Sequence, residues 1–128
     1  MPAAEFHLAH HVLEGNSHGD LFLDLGEETL ATYEIEENDL DAIKQLVDDI
    51  PYPHFFLISE ESNPSGEVWP AHRKSDHRKK YLSYEGPVSN RGHLYSVLKG
   101  KLNFTFPLKP LPEKLWFGVH AGQEGTRP

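Results

Sequence analysis

From His18 the chain reads His-Gly-Asp-Leu-Phe-Leu-Asp-Leu, and it alternates without a break to Leu25. His18, Asp20, Phe22 and Asp24 fall on one side, and Gly19, Leu21, Leu23 and Leu25 on the other. A period of two residues is that of a β-strand with one buried face. The leucines belong to a core, which places His18 and Asp20 side by side on the opposite face, roughly 7 Å apart at about 3.3 Å of rise per residue. A neutral imidazole and a carboxylate at that spacing can share one divalent metal. His10 or His11, across the loop Glu14-Gly15-Asn16-Ser17, can supply a third ligand. The plainer alternative is a surface strand with scattered polar side chains.

Other segments carry the same short period. Residues 5–11 alternate, with Phe6 and Leu8 opposite His7, Ala9 and His11, and residues 30–36 form a third strand after the turn at Gly26-Glu27-Glu28. The period then changes. Leu40, Ile43, Leu46, Val47 and Ile50 follow helical spacing, with Asn38 or Asp39 as the cap and Pro51 and Pro53 as the stop, so a helix is predicted over 39–50. A buried strand is expected at 54–59, a turn at Asn63-Pro64-Ser65-Gly66, and a short strand at Val68-Trp69 that ends before Pro70. Further strands are expected at 81–86, 93–98, around Leu102-Phe104-Phe106 after a turn at Lys99-Gly100, and at 115–120, with a loose tail from Gly122. Many short strands with one helix predict a mainly β (α+β) fold: a small β-barrel or rolled antiparallel sheet with a flanking helix. At 128 residues the chain is expected to form a single domain, 1–128.

There is no cysteine, which excludes a disulfide frame, a thiolate metal site and a cysteine nucleophile. The start lacks a basic region followed by an apolar run, and no apolar run is long enough to span a bilayer. A cytoplasmic location without membrane contact is the expectation. The net charge of -8 argues against nucleic acid until its distribution is read. Residues 1–71 hold 16 acidic groups and one basic group, a net of -15; residues 72–128 hold 11 basic and 4 acidic, a net of +7. Such asymmetry suggests a patch that faces a polyanion on an otherwise acidic body, unless the two halves intermix in the fold.

The segment His72-Arg-Lys-Ser-Asp76-His77-Arg-Lys-Lys-Tyr81-Leu-Ser-Tyr84-Glu85-Gly86 holds five of the twelve basic residues. Arginine offers forked donors that match phosphate oxygens, and lysine a point charge. His77 titrates near neutral pH and can give a proton or a hydrogen bond to a leaving oxygen; Tyr81 can orient His77 or the phosphate. The alternative is a basic surface loop.

Asp76-His77-x-x-x-Tyr81-x-x-Tyr84-Glu85-Gly86, then Gly92 and Val97, resembles the Asp-His-Pro…Tyr…Phe-Glu-Gly pattern of the 3'-phosphoesterase domain of bacterial ATP-dependent DNA ligase D. His18-Gly19-Asp20-Leu21-Phe22-Leu23 resembles that family's His-Tyr-Asp-Phe-Arg-Leu motif, and the likeness covers most of residues 5–106. The resemblance implies a manganese site, with zinc as the second choice, held by His11, His18 and Asp20; the spacing from the first strand selects His11 over His10. It implies Asp20, His77 and Tyr81 as catalytic residues. Arg73, Lys74, His77 and Arg91 are the expected phosphate contacts. The implied activity is DNA repair by removal of a 3' phosphate or 3' ribonucleoside from DNA or RNA-primed DNA. The implied partners are nucleic-acid 3' ends and separate ligase, polymerase or end-binding proteins, with the chain itself a monomer. A non-catalytic module that binds nucleic-acid ends or another phosphorylated group is the alternative. The sequence departs from the family pattern at several places. Phe22 stands for the family's arginine, Ala9 for a glutamine and Arg78 for the proline. The spacing from His11 to His18 is one residue longer, the helix near 39–50 is an insertion, and the closing segment lacks the usual basic end. These 128 residues hold no ligase or polymerase domain. Phe22 offers no donor to a phosphate, so weakened 3'-end activity is expected, or stacking of Phe22 on a terminal base.

Overall fold

Every residue from His18 to Leu23 is buried, on both faces of the strand they form. This differs from the half-open strand expected from alternation, and the reason is that two separate apolar layers cover it. The structure, a computed structural model, describes residues 3–59 and 67–122. Among these residues are eight strands: β1 (Ala3–Val12), β2 (His18–Asp24), β3 (Thr29–Glu36), β4 (Pro53–Ser59), β5 (Val68–Arg78), β6 (Gly86–Pro87), β7 (His93–Asn103) and β8 (Lys114–Ala121). They pair in the order β1-β2-β3-β5-β8-β4-β7-β6, and β1 also pairs with β7, so seven strands close into a barrel. All pairings are antiparallel except the short β4–β7 contact at Phe55/Leu102 and Phe56/Asn103. Closure gives each of the seven strands a partner on both sides, although β4 and β7 meet over two residue pairs and residues 68–71 of β5 pair on one side alone.

Inward-facing residues fill the barrel. Phe6 and Leu8 of β1, Leu21 and Leu23 of β2, Tyr33 and Ile35 of β3, and Leu115, Phe117 and Val119 of β8 belong to one buried cluster. The one α-helix among the described residues, α1 (Glu37–Asp49), adds Leu40 and Ile43 to it. The helical period is therefore as read, but α1 begins two residues earlier than expected. Its N-cap is Glu36, in extended conformation and without a side-chain cap bond, because β3 runs directly into the helix. Glu37 and Asp39 in the first turn suit the positive end of the helix dipole. Leu40 lies on Gly19, where an added Cβ would come within 2.8 Å of Leu40 Cδ2, so the glycine in β2 is what admits the helix. No helix among the described residues is long and apolar enough to cross a membrane.

A second, smaller cluster lies outside the barrel. Ala9, Phe22, Leu30 and Leu94 are its buried members, covered by Tyr81, Leu82, Tyr84 and Val88. The expected strand at 81–86 is instead a 3-10 turn at Lys79–Leu82 followed by the two-residue β6. This segment folds over the outer face of β1, β2 and β7 and buries that face. Two further expectations are corrected. β5 does not stop before Pro70 but runs on to Arg78; residues 68–71 pair only with β8, so the missing N–H of Pro70 breaks no ladder on the other side. β7 does not turn at Lys99-Gly100, because both residues pair with β1, at His7 and Phe6. Phe104 and Phe106 leave the strand and pack against the core. The turn expected at 63–66 and the tail expected beyond Gly122 lie outside the described residues.

Candidate metal centre

β1 and β2 pair in a register that sets His11 opposite His18 and Ala9 opposite Asp20. The imidazoles of His11 and His18 therefore meet on the outer wall, ring centroids 5.1 Å apart, with the Asp20 carboxylate between them. His11 Nδ1 is 3.5 Å from Asp20 Oδ2, and His18 Nε2 is 3.3 Å from Asp20 Oδ1. One ligand atom from each of the three residues lies within 4.8 Å of the others. His10 has the opposite side-chain parity and pairs at 2.7 Å with Glu37 at the start of α1, so the structure brings His11, not His10, to the cluster.

The second nitrogen of each ring is tied to backbone. His11 Nε2–H donates to the Arg91 carbonyl at 2.5 Å, and His18 Nδ1–H donates to the Asn16 carbonyl at 3.0 Å. These bonds fix the tautomers and aim the remaining lone pairs, His11 Nδ1 and His18 Nε2, at the carboxylate. Two imidazole nitrogens and a carboxylate oxygen are a donor set that suits zinc, manganese or ferrous iron. The residues fit a divalent ion by this chemistry and by the orientation of both rings.

Asp20 is 2% exposed and His18 6%. Burial pushes the Asp20 carboxyl up, but the His18 hydrogen bond and the Lys74 ammonium outweigh it and hold the group below the usual carboxylate range. The hydrogen bond to Asp20 draws the His18 imidazole above its ordinary value, while Lys74 opposes that shift. Lys74 Nζ stands 3.1 Å from both His18 Nε2 and Asp20 Oδ1 and 3.4 Å from Glu34 Oε1. An ammonium and a protonated ring cannot share Nε2. In the neutral ring, with Nδ1–H on Asn16, Nε2 carries the lone pair and accepts from Lys74; the hydrogen bond to Asp20 belongs to the protonated ring, in which Nε2 carries a proton as well.

A bulge in β5 completes the wall. Thr32 pairs with Lys74 and Leu30 with His77, so two residues, Ser75 and Asp76, stand against Ala31 alone. In a regular strand positions 74 and 77 face opposite ways; the extra residue turns both toward the same cavity. His77 Nδ1–H is shared between the Ser75 carbonyl at 3.0 Å and Thr32 Oγ1 at 3.1 Å. Thr32 in turn donates its hydroxyl to Leu30. Burial pushes the His77 imidazole below its ordinary value. A neutral ring with Nδ1–H committed offers Nε2 as an acceptor, which suits taking a proton better than the donation expected from sequence. Tyr81 meets His77 edge-on at 5.7 Å and stacks on Phe22 at 5.8 Å. Its carbonyl accepts a 2.7 Å bond from His7 Nδ1–H.

These groups border a cleft of about 1200 Å³ that also presents Arg78, Lys80, Tyr84 and Arg91. The structure thus collects His11, His18, Asp20, Lys74, His77, Tyr81 and Arg91. Arg73 does not join them. It has the opposite parity, lies over the Tyr33 ring and is held by Asp76 at 2.7 Å. Phe22 is 0% exposed and forms the layer beneath the cleft, so it cannot stack on a bound base. Sequence reasoning missed Glu34, although pairing the strands on either side of the turn at 26–28 puts it opposite Asp20. It also missed the carbonyls of Asn16 and Arg91, for which side-chain pattern gives no signal.

The class defined by fold and site is a small closed β-barrel with a two-histidine, one-carboxylate cluster on its outer wall. No family model, curated protein or solved structure matches the chain.

Proposed function

We propose that the protein is a divalent-metal phosphoesterase that acts on the 3' ends of DNA or RNA-primed DNA, in the manner of the ligase D 3'-phosphoesterase domain it resembles. The observation that carries this reading is the convergence of the His11 and His18 lone pairs on Asp20, each ring fixed by a backbone carbonyl, beside His77 in one basic cleft. Mn²⁺ is the first choice and Zn²⁺ the second, and either ion, when bound, supplies Lewis-acid polarisation of a phosphoryl oxygen. The chain's own residues do the rest. Asp20 and the two imidazoles hold the ion. His77 Nε2 accepts a proton from the water that attacks phosphorus, while the bond from phosphorus to the 3' oxygen breaks and that oxygen leaves as a hydroxyl with a proton from solvent. Lys74 and Arg91 offset charge on the phosphoryl oxygens, and Tyr81 keeps the His77 ring in place. Ligase, polymerase or end-binding proteins are the partners that use the trimmed end.

The test is product release from 3'-phosphate and 3'-ribonucleotide primers with Mn²⁺ or Zn²⁺, for wild type, His18→Ala and His77→Ala. Turnover is expected in wild type, to be lost in His18→Ala and cut in kcat more than in binding in His77→Ala. A second reading, a non-catalytic module for nucleic-acid ends, is favoured by one observation: buried Phe22 stands where the resembled family has a phosphate-binding arginine. Primer binding without release in any metal would select it.

A further inference from the structure

Lys74 occupies an unusual place for a phosphate-binding lysine. Its ammonium sits among the ligand atoms, 3.1 Å from His18 Nε2, 3.1 Å from Asp20 Oδ1 and 3.4 Å from Glu34 Oε1. The aspartate it meets is almost wholly buried. A buried carboxylate left unpaired is costly, so the ammonium does for the metal-free chain what a cation must do there. A divalent ion bound to the same oxygen and the same nitrogen lone pair would lie within a few ångströms of that ammonium. Two positive charges at such a distance repel strongly in a half-buried site.

We propose that Lys74 is a built-in cation that closes the His11–His18–Asp20 cluster in the metal-free protein and must leave it when a divalent ion binds. The inference rests on the metal reading given above. Lys74 has somewhere to go. Its side chain is 28% exposed, and Glu34, 42% exposed, already touches it from the cleft side. A swing toward Glu34 carries the ammonium into the space where an anion would lie. Metal and anion then help each other: the metal releases Lys74, and an anion that takes up the released ammonium favours the metal by the same factor. Lysine suits this role better than arginine, being a single charge on a flexible stem.

The experiment titrates Mn²⁺ calorimetrically into wild type, Lys74→Met and Lys74→Gln at one neutral pH. Each titration is run without and with sulfate, a dianion of phosphate's shape. Without sulfate, both variants are expected to bind Mn²⁺ at least about tenfold more tightly than wild type. Sulfate is expected to tighten Mn²⁺ binding in wild type and to leave the variants unchanged. Thermal melts give an independent reading. Lys74→Met should melt lower than wild type without metal and recover with saturating Mn²⁺. Lys74→Gln can still donate to Asp20, and it carries the test if the methionine variant does not fold. Mn²⁺ affinities within twofold of wild type, or a melting deficit that persists at saturating Mn²⁺, would overturn the proposal and leave the metal site standing. No binding of Mn²⁺ by any of the three proteins, and none of Zn²⁺ titrated in the same way, overturns both.

Discussion

Two buried side chains decide how the outer wall is held, and neither is a proposed ligand. His7 is 0% exposed, with Nδ1–H donating to the Tyr81 carbonyl and Nε2 accepting from Ser96 Oγ at 2.9 Å. Burial holds its imidazole below the ordinary value of 6.5. The unfolded chain therefore takes up this proton first as pH falls, and stability declines below about pH 6.5. His77 is lowered in the same direction, whereas His18 is raised and adds stability below 6.5 that is lost as pH rises through its folded value. His7→Gln keeps a donor and an acceptor without titrating. Urea unfolding at pH 5 and 7.5 should show a smaller acid loss in His7→Gln than in wild type; equal losses would remove His7 from the account. Phe22 lies between the rings of His7, His77 and Tyr81. From sequence, Phe22→Arg looks like restoration of a phosphate contact. In the structure it exchanges a buried ring for a buried charge and should cost at least about 3 kcal/mol, judged by urea unfolding. A loss under about 1 kcal/mol, the ordinary surface range, would mean the arginine reaches the cleft. Alternation identified Phe22 as a neighbour of Asp20 on the same face; it carried no sign that a second layer covers that face, because the covering residues lie about 60 positions away.

Strands announced themselves where they alternate over one core, as β1, β2 and β3 do, and α1 where five apolar residues keep helical spacing. β5 did not, because its second half lies at the surface and carries charge, and because a proline interrupts it at a position that needs no donor. The bulge at Ser75-Asp76 was equally silent, yet it is what turns His77 to the side of Lys74. The ligands of the candidate centre were legible as residues; their fixed tautomers were not, since both acceptors are carbonyls of loops. One of those loops is testable. Residues 88–92 form a tight turn, Val88 N–H to the Gly92 carbonyl at 2.9 Å and Arg91 N–H to the Val88 carbonyl at 2.6 Å. Gly92 has a φ of +88°, and a Cβ there would sit 2.0 Å from the Val12 carbonyl oxygen, which is backbone and cannot yield. Gly92→Ala must shift the turn and with it the Arg91 carbonyl that orients His11. The expected cost is about 2 kcal/mol in stability, and a tenfold to hundredfold weaker metal affinity is the usual scale for loss of such an orienting partner. Unfolding and Mn²⁺ calorimetry on the same sample check both; weaker stability with unchanged metal affinity would mean that the Arg91 carbonyl does not orient the ligand.

Across the whole molecule, the charge division in the chain is not a division in space. β1 and β3 come from the acidic half and pair with β7 and β5 from the basic half, so the barrel interleaves them. What survives is local: Lys74, Arg78, Lys80 and Arg91 border the cleft, while Glu37, Asp41, Asp48 and Asp49 lie exposed on α1. In the metal-free protein Lys74 is engaged by Asp20, and Asp76 and Glu34 share the border, so no more than two or three cations are free to meet phosphates when the salt series is run without metal. Each phosphate neutralised on a single strand contributes about -0.7 to the slope of log affinity against log salt. A primer 3' end should therefore bind with a slope of about -1.4 to -2, well short of that of a dedicated nucleic-acid-binding surface. Arg78→Ala or Lys80→Ala should flatten the slope by about 0.7 each. Arg73→Ala, at a phosphate contact expected from the sequence, should leave it unchanged, since that guanidinium is held by Asp76 and backbone carbonyls. Fluorescence anisotropy with a labelled primer over a salt series supplies all four slopes. If Arg73→Ala flattens the slope as Arg78→Ala does, the phosphate path crosses the other face of β5 and the cleft is not where the end is held. If no variant alters it, the ligand of this barrel is not a polyanion.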